Sequence, residues 1–425
     1  MNRTIPCTCT VLAALLAVSL LPGSATAQDL LIRGATVHTS SPRGTIESGD
    51  VLVRNGRIAE VGTGLAAAPG ITVIEARGRP LTAGLFGGVT AFGVEEISGE
   101  SSTVDNSPTV HAEGASLEPR PEFDVTVAFN AESVPISVNR AEGITFAVVA
   151  PSAVTGGTVL AGQGAVARLD GRVEAFPAPS RTLFVNLGPE ATSASGMSRA
   201  AQFMLLDQAV REARPPATAR DGDFQLLTPN GREVLARYLA GGRIAFSVDR
   251  ATDIRQVLAF AERNGARPVI VGGAQATQVA SLLATSKVPV IVDPLLNLPG
   301  TFDQIGVSLD NAARLHEAGV SIAFTQLVGP THNAYKVRQA AGVAVANGLP
   351  WDAALAALTS GPAEIFGLGT ELGRIAPGYA ADLVLWSGDP LEVTSVAEQV
   401  WIDGLPQPMR TRQTELRDRY RPRTP

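Results

Sequence analysis

Six short, nearly continuous apolar runs set the strongest limit on how this chain can fold. They are G-I-T-F-A-V-V-A (143–150), T-L-F-V-N-L-G (182–188), R-I-A-F-S-V-D (243–249), R-P-V-I-V-G-G (267–273), V-P-V-I-V-D-P (288–294) and V-S-I-A-F-T-Q (320–326). Each ends in glycine, aspartate or another polar residue, the pattern of parallel strands covered on both faces. Between them lie D-I-R-Q-V-L-A-F-A-E-R-N-G, A-T-Q-V-A-S-L-L-A-T and D-N-A-A-R-L-H-E-A-G, which have helical spacing and in two cases a glycine stop. With G-L-F-G-G-V-T (84–90) included, the series approaches eight βα units. It predicts an α/β protein with a TIM-type (β/α)8 barrel over residues 81–360, and an open doubly wound sheet is the alternative. Residues 97–142 and 150–180 are rich in Ser, Thr, Gly and Pro and read as long loops over the barrel mouth.

Both ends of the chain read as short strands. Asn55-Gly56 separates two alternating apolar runs, a hairpin signal because both residues tolerate positive φ. A-D-L-V-L-W-S-G (381–388) and V-A-E-Q-V-W-I-D-G (396–404) repeat the pattern near the far end. One small β-sandwich assembled from residues 28–80 and 361–410 is expected, followed by a basic, proline-interrupted tail over 411–425. Ahead of it, Arg3, an apolar run from Val11 to Leu21 and the small residues Ala25-Thr26-Ala27 form a secretory signal over residues 1–27, too short to span a bilayer. Cys7 and Cys9 lie inside it, so cleavage leaves a thiol-free chain suited to a periplasmic or secreted location. The net charge of −6 and the lack of a Lys/Arg cluster before the tail argue against nucleic acid as a partner. No further apolar run is long enough for a membrane span after signal cleavage.

The arrangement has a relative. L-x-I-R-G-A-T-V near the start, V-x-N-G-R-I-A-x-V-G soon after, and P-A-x-I-F-G-L followed by L-G-R-I-A-P-G-Y-A-A-D-L-V-L-W-S-G-D-P-L near the end resemble the amidohydrolase superfamily, and within it the imidazolonepropionase-like members. The resemblance implies hydrolysis of C–N bonds in amides, cyclic amides and amidines, at one or two divalent metals such as zinc. It also implies a ligand set: H-x-H after barrel strand 1, a bridging Lys or Glu, one His after each of strands 5 and 6, and an Asp after strand 8.

On this sequence the H-x-H falls on Val89-Thr90-Ala91, the strand 5 His on Ser247, the strand 6 His on Gly272, and the strand 8 Asp on Leu327 or Gln326. None can serve as the family's ligand. The two lysines, Lys287 and Lys336, stand in a turn and at a helix start rather than at a strand end. No metal or other cofactor is therefore expected. Of the four histidines, His38 reads as an exposed strand residue and His316 as a surface or capping residue, and His111 and His332 have a route to the mouth.

Carboxylates at the strand ends are the remaining resource. Glu95 and Glu96 follow strand 1, Asp249 ends strand 5 and Asp293 ends strand 7; two such acids can serve as general acid and base if their environments split their pKa values. Glu96, Asp249 and Asp293 are the catalytic candidates, and Thr90, Ser247, Gln326 and His332 the ligand-binding ones. The aspartates also read as a helix cap and a turn. The glycine-rich T-G-G-T-V-L-A-G-Q-G-A-V (155–166) lacks a P-loop lysine and reads as a β hairpin or mouth loop. The expectation is a family barrel that binds a small molecule, an active amidohydrolase partner or a second copy of itself without catalysis. The alternative is a hydrolase of amide, cyclic amide or dipeptide-like substrates working through carboxylates or an unconventional metal site.

Overall fold

A bent sheet built from both ends of the chain carries the barrel. The computed structural model describes residues 29–107, 119–152, 158–189, 198–214, 225–327 and 331–421; the expected signal segment lies outside them. The first strands are β1 (Leu30–His38), β2 (Thr45–Arg54), β3 (Arg57–Gly62), β4 (Thr72–Glu75) and β5 (Pro80–Ala83). The β2–β3 connection is the Asn55-Gly56 turn, with φ of 50° and 76°, as a two-residue hairpin of this hand requires.

The barrel strands follow: β6 (Leu85–Thr90), β7 (Ile144–Val149), β8 (Leu160–Arg168), β9 (Thr182–Asn186), β10 (Arg243–Val248), β11 (Arg267–Gly272), β12 (Val290–Val292) and β13 (Ile322–Phe324). They pair in chain order from β6 to β13. The six apolar runs all become barrel strands. The segment 160–168 does so too, so part of the expected mouth loop is wall. It runs antiparallel to both β7 and β9, making an up-down-up meander inside an otherwise parallel barrel. The chain returns to the first sheet through β14 (Leu383–Trp386), β15 (Ala397–Ile402) and β16 (Leu405–Pro406), with β14 pairing antiparallel to β5.

Helices α1 (Val134–Ala141), α2 (Arg199–Ala213), α3 (Pro229–Leu239), α4 (Ala251–Asn264), α5 (Ala280–Thr285), α6 (Asn311–Glu317) and α7 (Val337–Ala346) bury apolar side chains in the core outside the strands. Then α8 (Trp351–Ala356) leads to α9 (Ser360–Ile365), which with Phe366 and Leu368 joins the core inside the barrel. Phe86 stacks between Phe146 and Phe366 at centroid distances of 5.3 and 6.1 Å, so the lower half is packed solid. A last helix, α10 (Arg412–Tyr420), buries no residue. Among the described residues no helix is long and apolar enough to cross a membrane.

The two edge strands, β6 and β13, do not share a ladder. At the lower end the carbonyls of Ala357 and Leu358 accept from Phe324 N and Phe86 N at 3.2 and 2.7 Å. At the upper end Val89 N donates to Thr325 Oγ1 at 2.9 Å, and Ala91 N to Thr331 Oγ1 at 3.2 Å. The backbones approach so closely that a Cβ on Gly88 would stand 2.9 Å from Thr325 Cα.

Sheet and barrel are joined at the lower end. Because β8 runs downward, its last residue Arg168 reaches Asp382 and Asp403, donating to Asp403 Oδ1 at 2.9 Å. Burial opposes the Arg168 charge, but the two carboxylates outweigh it and raise its pKa. Trp386, fully buried, donates from Nε1 to Thr82 Oγ1 at 2.9 Å.

Thr325 is buried, so Thr325→Val keeps the side-chain volume and leaves the Val89 amide without a partner. We expect destabilisation of about 1–3 kcal/mol, read as a lower urea midpoint at unchanged m.

Candidate active site

A cavity of about 600 Å³ opens at the end of the barrel where the parallel strands finish, the end at which barrel enzymes assemble their chemistry. Its floor continues the inner core through Phe184 and Val271. Asn186, Ser247 and Val271 stand in register across β9, β10 and β11 and all line it. From the edge strands come Val89, Thr90 and Ala91 on one side and Gln326, Leu327 and Thr331 on the other. Glu95, Ser98, Asn106 and Ser152 supply the rim.

Of the residues singled out in the sequence, Thr90, Ser247 and Gln326 line this cavity. Thr90 is already committed, donating from Oγ1 to Val148 O at 2.9 Å. His332 is exposed and outside the lining, and its carbonyl accepts from Asn139 Nδ2 at 3.1 Å. His111 falls outside the described residues.

The three catalytic candidates do not converge there. Glu96 accepts from Ser133 Oγ at 2.6 Å and Val134 N at 3.0 Å, fixing the start of α1. Asp293 accepts from Leu295 N at 2.9 Å and Leu327 N at 3.0 Å, tying the turn after β12 to the exit of β13. Asp249 accepts from Ala274 N and Gln304 Nε2, both at 3.1 Å. Burial pushes the Asp249 carboxyl above the usual carboxylate range, against the pull of those donors. It sits beside a charged cluster in which Arg199 pairs with Asp253 at 3.1 Å and with Asp303. Each candidate acid thus holds backbone or loop in place, the use that carboxylates at strand ends have when they serve turns and caps. The carboxylate that does line the cavity is Glu95, whose Oε2 accepts from Asn106 Nδ2 at 2.8 Å.

The described residues of this donor set offer no cluster of metal ligands. Zinc requires several His, Cys or carboxylate ligands converging on one point, and among the described residues no group of three or more His, Cys, Asp or Glu could hold a metal ion. The strand 6 position excludes a ligand on steric grounds. Gly272 has φ +93°, and a Cβ there would stand 2.7 Å from Asp249 Oδ1. A histidine would meet both a left-handed backbone and the carboxylate.

Three comparisons bear on descent. A sequence model described as "Amidohydrolase family" matches residues 254–406. An amidohydrolase from Thermotoga maritima MSB8, solved by crystallography, superposes with a TM-score of 0.78 at 26% identity, covering 90% of this chain and 100% of that one. Residues 254–406 thus match the amidohydrolase family, and nearly the whole chain shares the fold of an amidohydrolase. The amidohydrolase tasK of Hapsidospora irregularis is 46% identical over 78 residues, which is 18% of this chain and only 8% of that protein. An adenosine deaminase from Xanthomonas campestris, crystallised with bound zinc, shares the fold at a TM-score of 0.52 and 18% identity, over 89% of this chain and 92% of that one.

Within this barrel, Asn186, Asn106, Ser98, Ser152 and Thr331 are the lining residues that motif reasoning passed over. Asn186 had a visible signal, a polar residue inside the apolar run T-L-F-V-N-L-G. The others come from loops with no periodic signature.

Two outcomes follow from this geometry. Gly272→Ala should destabilise by about 1–3 kcal/mol through backbone strain together with the approach of its Cβ to Asp249 Oδ1, and Gly272→His by more, without metal uptake; thermal unfolding with and without zinc reads both. For Asp249 the folded pKa lies above the unfolded one. Its protonated form favours the fold below about pH 3.9, and that contribution is lost as pH rises through the folded value. Asp249→Asn should therefore gain stability relative to the parent between about pH 4 and pH 7, seen as diverging denaturant midpoints.

Proposed function

We propose that this chain is an exported amidohydrolase-superfamily protein that keeps the barrel without the metal chemistry and acts by holding a small molecule in the mouth cavity. The observation that carries the reading is the donor set. Val89, Ala91, Ser247 and the Gln326-Leu327 pair occupy the cavity wall where the superfamily resemblance places ligands, and none supplies a histidine or carboxylate. The strand 6 position is closed to a side chain by Asp249.

The rest of the site is consistent with binding. A volume near 600 Å³ lies in the range of small-molecule pockets, and half of the lining residues are polar, enough to orient a ligand. The superfamily reaction needs a water made nucleophilic by a cation. Ser247, Asn186 and Gln326 provide neutral hydroxyl and amide groups there, which can orient a ligand's carbonyl or N–H.

Plasma mass spectrometry on protein purified without chelators, before and after incubation with zinc or manganese, tests this reading alongside hydrolysis of dipeptides and cyclic amides. Substoichiometric metal and no turnover above background are expected. One or two divalent ions per chain accompanied by hydrolysis would overturn it and favour the hydrolase alternative.

A further inference from the structure

The rim of the cavity holds an uncompensated charge. Glu95 is the one ionisable side chain among the described residues that line the cavity, and its carboxylate is held by a neutral partner, Asn106. No arginine, lysine or histidine forms an ion pair with it among the described residues.

Asn106 itself is incompletely satisfied. It is 3% exposed, its carbonyl accepts from Ser152 N at 2.8 Å, and its Nδ2 is spent on Glu95. Its Oδ1 is buried with no hydrogen-bond partner. Turning the amide over does not relieve this, because it would set Oδ1 against the Glu95 carboxylate, acceptor to acceptor. The orientation is therefore fixed by charge, and an acceptor is left over on a cavity-lining residue. Buried polar groups are nearly always paired, and one left open beside a cavity calls for an outside partner.

Both features ask for the same thing. A carboxylate and a spare amide oxygen on one wall want hydrogen-bond donors, and the carboxylate wants positive charge. We propose that Glu95 and Asn106 form the anchor for a cationic N–H donor, so that the cavity's ligand is a small molecule bearing a protonated amine or an amidinium-type group. This rests on the small-molecule reading above. The planar, multi-donor amidinium fits best, since it can pair with both oxygens of a carboxylate. The body of the ligand would lie along Phe184 and Val271, with Ser247 and Asn186 for a neutral polar end. An anionic ligand finds no cation among the described lining residues.

Calorimetric titration with an isosteric pair, n-butylguanidinium and n-butylurea, and with pentanoate tests the idea on the intact chain. The guanidinium should bind at least ~10-fold tighter than the urea, as a charge-assisted pair predicts, with no binding of pentanoate. In Glu95→Gln that preference should vanish, and in Asn106→Leu it should fall severalfold. The pair compared on the parent chain keeps the test intact if either variant fails to fold. Equal or tighter binding of the urea, binding of pentanoate, a preference that survives Glu95→Gln, or no binding of the guanidinium would each overturn the cationic assignment. The small-molecule reading falls on a different result, stoichiometric metal with hydrolysis.

Discussion

The hydroxyl of Thr325 on the amide of Val89 is the contact on which the upper half of the barrel depends. The two edge strands share no ladder, and at this end a side chain does the work of a backbone pair. Thr331 repeats the device on Ala91 two residues further along. These are the two positions where the superfamily resemblance sets the first pair of metal ligands, with another ligand expected at the exit of β13. In a metalloenzyme of that pattern, a cation would draw the same strand ends together. In this chain two neutral hydrogen bonds join them. They satisfy amides that would otherwise be buried unpaired, and they hold Val89 and Ala91 against the cavity as wall.

Residues 359–391, which hold most of the long C-terminal motif, contribute no residue to the lining of this cavity. Thr359 donates to Leu355 O at 2.8 Å and contacts Ser40 Oγ at 3.0 Å. Gly373 passes so near Thr359 that a Cβ would stand 2.5 Å from its carbonyl oxygen. Asp382 receives Arg168, and Trp386 fills the space under Gly143. These residues weld sheet to barrel. Their pattern identifies a scaffold, and a scaffold of this kind says little about chemistry at the opposite end.

That separation explains what could be read in advance. Bulky β-branched runs mark β7 and β9 to β13 because both faces of those strands are buried, and Asn55-Gly56 marks its hairpin through backbone conformation alone. The strand β8, L-A-G-Q-G-A-V-A-R, is made of small residues and glycine, so it reads as loop although seven of its nine residues are buried. At the site, the mismatch at the ligand positions is plain in the sequence because the motif is local. The roles of Glu96, Asp249 and Asp293 are not, because a strand-end carboxylate that caps a helix and one that moves a proton differ only in what folds around them. The Glu95–Asn106 pair depends on the excursion after β6 turning back on itself, with Glu95 bridging to Val104, and no periodicity announces that.

The reversed strand also bears on the order in which the chain can assemble. Pairing β7 with β8 and β8 with β9 closes only short loops, and the entropy lost on closure grows with loop length. The Thr325–Val89 seam joins residues 236 apart in sequence. The meander can form from neighbouring chain, whereas the seam needs nearly the whole wall in place before its two hydrogen bonds repay the closure. The antiparallel strand is thus among the pairings closed by local chain, as are β10–β11 and β11–β12, and its terminal Arg168 ties that local unit to the sheet formed by the two ends of the chain.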